Sequence, residues 1–208
     1  TSLAGDDSWA NVQLLLEGED VTDSSSFARA ITGTPPIVAG QWGNALDVRA
    51  NSVTVPFSNA LLRGDLTLEG WVYPTSSPVF EDTIFTTAYD GRVTWGLFHT
   101  SDNRLSVGIY TPAWAYYNAA TWNLNQWNFF RLTYQGNSLK IWQNGVLTLN
   151  TTTVARPVGS STVYISRKWD SNSKRFPGYI DDLRFTNAIR PEPTETPPPA
   201  PPLRSGPP

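Results

Sequence analysis

The chain has no cysteine, no methionine and a single histidine, His99. Without cysteine there is no disulfide framework, no thiolate nucleophile and no thiolate metal ligand. One imidazole leaves the usual zinc constellations and a Ser/His/Asp triad poorly supplied. An excess of positive charge is also missing. Fifteen Lys and Arg stand against 18 Asp and Glu, a net charge of −3 with no basic cluster, which argues against a nucleic-acid partner. No apolar run approaches the roughly 20 residues of a membrane-spanning helix, so membrane insertion is not expected. The opening Thr1-Ser2-Leu3-Ala4-Gly5-Asp6-Asp7 lacks the charged start and apolar middle of a secretion signal. The missing Met fits an initiator removed ahead of Thr1; the alternative is a fragment of a larger extracellular protein.

Aromatic residues are plentiful: nine Trp, eight Tyr and nine Phe in 208 residues. That length suits one domain with a sizeable core. Helical periodicity is nearly absent, and short alternating runs separated by turn residues read as all-β. Strands are expected at Val12–Leu16, Ala45–Val48, Ser52–Val55, Asp65–Tyr73, Thr83–Ala88 and Val93–His99. The series continues with Arg104–Tyr110, Ala115–Trp122, Trp127–Gln135, Ser138–Trp142, Val146–Asn150, Thr162–Ser166 and Gly178–Thr186, with one helical turn at Asn59–Arg63. Asn144-Gly145 is the strongest hairpin signal, because a tight primed turn needs positive φ at both central residues. Gln135-Gly136-Asn137 marks a second. So many strands without helices favour a two-sheet antiparallel jelly-roll sandwich.

Composition breaks at Arg190. Nine of the 18 residues from 191 to 208 are Pro. Pro donates no ladder hydrogen bond, so this segment reads as an extended polyproline-II arm, about 55 Å long, beside a sandwich spanning 1–190. An arm held extended needs a surface, which points to docking on a partner chain through Pro191, Pro197, Pro198, Pro199, the apolar anchor Leu203 and Arg204.

Three motifs, in order, resemble laminin G-like, concanavalin A-like jelly rolls. Leu66-Thr-Leu-Glu-Gly-Trp71-Val72-Tyr-Pro is similar to their early Trp-bearing strand. Trp127-Asn-Phe-Phe-Arg-Leu-Thr-Tyr134 with Leu139-Lys-Ile-Trp-Gln-Asn144-Gly145 resembles their central hairpin, although Phe129 stands where relatives often have His. Gly178-Tyr-Ile-Asp-Asp-Leu-Arg-Phe185 resembles their closing strand. Val12-Gln-Leu-Leu-Leu16 and a closing strand running into prolines resemble domains carried by bacteriophage structural proteins. The resemblance implies a virion-exterior setting, with neighbouring virion chains, further copies of itself, or host and environmental glycans as partners.

The family frequently holds calcium, and the resemblance places one structural ion between Asp23 and Asp181. In simple alternation Asp181 shares a face with Tyr179, Leu183 and Phe185, and a carboxylate in an apolar set must be paired, bonded or metal-bound. The competing roles for Asp181 are an Arg pair or capping of loop N–H groups; Asp182, on the other face, reads as a solvated partner of Arg184. Catalysis is poorly supplied. Glu17-Gly-Glu19-Asp20 is the nearest approach to a glucanase acid set but reads as a solvated turn. Asp90-Gly-Arg-Val-Thr94-Trp95 is one imperfect copy of a sialidase box, and His99 reads as a rim residue. The protein is therefore expected not to be an enzyme. Trp114, Tyr116 and Tyr117 form one candidate sugar platform; Trp169 with Asp170 and Asn172 forms a second. Burial of these rings in a core or protein interface is the competing expectation.

Overall fold

A computed structural model describes residues 9–57, 64–89, 92–111, 113–152, 154–155, 162–167 and 174–193. The expected helical turn at Asn59–Arg63 lies outside them. Among the described residues the only helix is a 3-10 turn at Trp9–Asn11, and no helix is long and apolar enough to cross a membrane.

Fourteen strands follow in order among the described residues. They are β1 (Val12–Leu16), β2 (Ile37–Ala39), β3 (Asn44–Asp47), β4 (Val53–Pro56), β5 (Leu66–Pro74), β6 (Glu81–Tyr89) and β7 (Arg92–Thr100). Then come β8 (Arg104–Tyr110), β9 (Trp114–Thr121), β10 (Asn128–Gln135), β11 (Ser138–Gln143), β12 (Val146–Thr151), β13 (Thr162–Ile165) and β14 (Gly178–Thr186). All pair antiparallel in two sheets. An eight-stranded sheet runs β12-β11-β10-β5-β14-β3-β2 with β1 also on β14, and a six-stranded sheet runs β4-β13-β6-β7-β8-β9. Only β2 has no counterpart among the expected strands: three residues between Pro36 and Gly40 are too few to show a period.

The two hairpins have the chemistry their turns demand. Asn144 and Gly145 both take positive φ, 49° and 83°, and Gln143 pairs with Val146 across them. Gly136, at φ 59°, turns the chain between Gln135 and Ser138. Asn144 does more than turn: its Oδ1 accepts the Phe129 N–H at 2.8 Å, fixing β10 against the hairpin.

The core forms where the inner faces meet. Leu68, Val72, Phe130, Leu132 and Ile180 of one sheet pack with Phe85, Trp95, Leu97, Val107 and Ile165 of the other. Phe85 and Phe185 stack between the sheets at 6.3 Å. His99 is buried in this interior, not on a rim. It is fully covered, 6.2 Å from the Trp122 ring and 5.8 Å from that of Phe176.

The closing strand departs from simple alternation. A register shift lies between Asp181 and Arg184, with Asp182 at φ 47°. The extra residue of a bulge reverses the phase. Tyr179 and Asp181 lie opposite Tyr73 and Trp71, away from the core, while Ile180, Leu183 and Phe185 face it. Asp181 therefore does not share the face of Leu183 and Phe185. Asp182 is fully buried at the bulge, not solvated.

Candidate functional site

The outer face of the six-stranded sheet carries an exposed aromatic shelf. Register sets Thr86, Gly96, Gly108 and Tyr116 in one row across β6 to β9, and Phe98, Ser106 and Asn118 in the next. The glycines leave room for the Phe98 ring. A Cβ on Gly96 would stand 2.4 Å from Phe98 Cζ, and one on Gly108 would stand 2.9 Å from Phe98 Cε2. Phe98 thus lies buried beside the shelf, 6.3 Å from both Trp114 and Tyr116, edge-on to the first and tilted to the second. Trp114 and Tyr116 stack on each other at 5.6 Å and 22°, while remaining 36% and 46% exposed. Tyr110 supports Trp114 from the adjoining strand at 5.7 Å.

Beside the shelf opens a groove of about 520 Å³. Tyr116 and Phe80 supply its rings, and Thr100, Ser106 and Asn118 its neutral polar groups. Ser106 Oγ donates to Asn118 Oδ1 at 2.7 Å, which fixes the Asn118 amide with its NH2 as the donor. Glu81 and Lys174 bring the charge. Lys174 Nζ lies 4.7 Å from the Phe80 ring centroid. Burial raises the Tyr116 hydroxyl pKa, and the Glu81 charge raises it further. Asp82, next in the chain, is pushed up to about 6 by burial, with Lys174 opposing and Glu81 adding to the shift.

Of the expected platform, Trp114 and Tyr116 stand together. Tyr117 is a correction: one residue along the strand it turns inward and packs against the core. Trp169, Asp170 and Asn172 lie outside the described residues. The sequence reading missed Phe80, Glu81, Ser106, Asn118 and Lys174, because only strand register and a returning loop bring them to the shelf. The alternation of exposed β9 residues at 114, 116, 118 and 120 was the one signal available.

Asp23 and Asp181 are held by backbone donors of different loops. Asp23 Oδ1 accepts from Leu15 N at 3.0 Å and Ser25 N at 2.9 Å, and its Oδ2 accepts from Arg29 N at 2.9 Å. The Arg29 guanidinium adds an attractive charge. Asp181 Oδ2 accepts from Gln41 N at 2.9 Å and Trp42 N at 3.1 Å. This is the loop-capping role weighed beside calcium. Among the described residues no three His, Cys, Asp or Glu converge as metal ligands.

Among the described residues, the chain covers part of the outer face of the eight-stranded sheet and leaves the Trp114–Tyr116 shelf of the six-stranded one exposed. After β14 the chain turns back across the first of these faces. Asn187 N donates to Asn11 O at 2.8 Å, Ala188 O accepts from Thr67 Oγ1 at 2.8 Å, and Arg190 N donates to the same Thr67 Oγ1 at 3.0 Å. Glu69, 1% exposed, accepts from Arg190 and from Arg131 Nε at 2.5 Å, with Arg184 Nε 4.0 Å away. Arg131 also donates to Pro191 O, and Lys140 Nζ bonds Glu192 Oε1 at 2.8 Å. The expected root of a partner-docking arm, Pro191, therefore lies on its own sheet. Pro197, Pro198, Pro199, Leu203 and Arg204 lie outside the described residues. The Glu17-Gly-Glu19-Asp20 turn is likewise committed locally: Glu17 accepts from Ser24 Oγ at 2.7 Å and Glu19 from Asn44 Nδ2 at 2.8 Å.

The family profile described as the concanavalin A-like lectin/glucanases superfamily matches residues 47–193. No curated protein matches the sequence. Among solved structures, the binding domain of Paraclostridial Mosquitocidal Protein 1 superposes with a TM-score of 0.71 at 14% identity, covering 88% of this chain and 50% of that one. A botulinum neurotoxin type C structure, whose cell entry is described as dependent on two ganglioside molecules, gives 0.67 at 14% identity, covering 89% and 50%. The binding domain of botulinum neurotoxin DC in complex with SialylT gives 0.67 at 14% identity, covering 88% and 49%. At such identities the likeness is one of fold, and the chain spans about half the length of these structures.

Proposed function

Since the chain belongs to the concanavalin A-like lectin/glucanases superfamily, we propose that it is a non-enzymatic carbohydrate-binding domain. Its sugar site is the shelf and groove on the outer face of the six-stranded sheet. One observation carries this reading: Trp114 and Tyr116 remain exposed and stacked at the edge of a groove lined by Ser106, Asn118, Thr100 and Glu81. A pyranose has an apolar face and a polar rim, and an aromatic plane beside hydroxyl, amide and carboxylate groups matches both. The groove volume of about 520 Å³ suits a small ligand of this kind. Neighbours whose descriptions name gangliosides and SialylT support the same ligand class. The local commitment of Glu17 and Glu19 supports binding rather than hydrolysis.

We place the domain on a virion exterior, as an adhesion element for host or environmental glycans. That part rests on the resemblance of Val12–Leu16 and of the proline-bound closing strand to bacteriophage structural domains. A purely structural role through neighbouring virion chains gains nothing from Pro191, which lies on the domain's own sheet. A glycan array with wild type and Trp114→Ala tests the reading. A specific glycan signal is expected, and Trp114→Ala should weaken it at least about thirtyfold, since a central aromatic contact is worth about 2 kcal/mol or more. Unaltered binding by the variant, or no glycan signal at all, would remove the site.

A further inference from the structure

Two features of the groove bear on which sugars enter it: its charge and its second ring. Phe80, on the connection from β5 to β6, is 71% exposed, and the groove lies between elements that also bring Tyr116 from β9. Lys174 is the one cation among the described lining residues, and its ammonium is placed against the Phe80 ring. Glu81 lines the same groove, and its charge is felt at both the Tyr116 hydroxyl and Asp82. The next charges along the rim, Asp102 and Arg104, neutralise each other in a 2.8 Å ion pair. Arg175, beside Lys174 in the chain, does not line the groove. Among the described lining residues one carboxylate, Glu81, therefore stands with one ammonium, Lys174, at the place where a ligand would enter.

That balance suits hydroxyl groups and not anions. A sugar hydroxyl donates to a carboxylate and accepts from an ammonium or an amide NH2, all of which the groove presents. A carboxylate sugar would lose the Glu81 contact and gain repulsion, with only a shared ammonium in return. Building on the glycan reading, we infer that the groove selects uncharged sugars, neutral hexoses and N-acetylhexosamines, and rejects glycans capped by sialic acid or a uronic acid. This is the opposite of what the SialylT complex of the neighbouring toxin domain would transfer to this chain.

The test uses the full 208-residue chain on an array of matched oligosaccharides that differ only in a terminal sialic acid. The sialylated member of each pair should bind at least about tenfold more weakly than its neutral parent. The gap should narrow in Glu81→Gln and again near ~0.5 M salt, where exposed charges are screened. A melt of Glu81→Gln matching wild type confirms that the fold is unchanged. Equal or tighter binding of sialylated members, or a gap that Glu81→Gln leaves intact, would overturn the inference while leaving glycan binding in place. Absence of signal from every member would overturn the glycan reading and this inference with it.

Discussion

The two outer faces of this sandwich carry similar rings and meet opposite fates. On the eight-stranded sheet Trp71 and Phe129 pack at 5.3 Å and are 2% and 3% exposed, beside the Glu69–arginine cluster and the returning chain. On the six-stranded sheet Trp114 and Tyr116 stack just as closely but keep a third to nearly half of their surface in solvent. Aromatic content alone therefore says nothing of role. What separates structural rings from available ones is how much of each the surrounding chain covers.

Breaking the covered face should have the largest effect. Glu69→Ala leaves Arg131, Arg184 and Arg190 facing one another without their anion in a buried setting. Loss of one partner from such a buried cluster costs about 3–5 kcal/mol, so denaturant melts should show a large fall in midpoint with little change in slope. Ending the chain after Thr186 should act in the same direction, because it removes Arg190 and the Pro191 carbonyl together.

Acid should separate two groups that face each other across the β6–β7 ladder. Burial depresses His99 to about 4. The unfolded chain then binds the proton more tightly than the native one. The stability from neutral His99 is fully present above its unfolded value of 6.5 and is lost as pH falls towards 4, by up to about 3 kcal/mol. Asp82 has the opposite sign. Its pKa is raised from 3.8 to about 6, so its carboxylate destabilises the fold above pH 6 and that penalty is relieved as pH falls to 3.8. The two residues lie directly opposite in the β6–β7 ladder. Melting temperature measured from pH 7 to pH 4 should fall more steeply in Asp82→Asn than in wild type, and less steeply in His99→Gln. Parallel profiles for all three proteins would refute the assignment.

A smaller effect is expected at the shelf itself. A Cβ on Gly108 would meet Trp114 Cζ3 at 3.0 Å and Tyr116 Cε1 at 3.1 Å. Gly108→Ala should push both rings outward, at a cost of about 1 kcal/mol in stability, and should weaken glycan binding clearly. The smallest effect is the melt in excess chelator. If Asp23 and Asp181 rest on their backbone N–H donors alone, the midpoint stays where it is. A calcium ion bound to the native state would instead lower the midpoint on removal.

Strands and hairpins were legible because period-two patterning and Asn-Gly turns are local signals. The closing strand shows the limit. Its alternation was clear, yet nothing local marked Asp182 as the residue to take φ 47° and reverse the phase, so Asp181 was put on the wrong face. His99 was misjudged because its burial depends on Trp122 and Phe176, distant in sequence. Trp114 and Tyr116 were readable in the exposed alternation of β9. Glu81 and Lys174 were not, since they sit 93 positions apart and are brought to one groove by the later segment running beside β6, where Thr83 N donates to Lys174 O at 2.8 Å.

The pairing of β1 with β14, extended by the Asn187–Asn11 bond, sets the first strand of the fold beside the last. Both belong to the eight-stranded sheet, so the groove looks out from the far side of the sandwich. A domain whose first and last strands adjoin can be inserted into a longer chain with little strain on either neighbour. Copies mounted on a common support through that edge would all turn their grooves outward. Weak grips on a sugar-coated surface would then multiply, because each further engagement is drawn from an effective local concentration rather than from bulk solution.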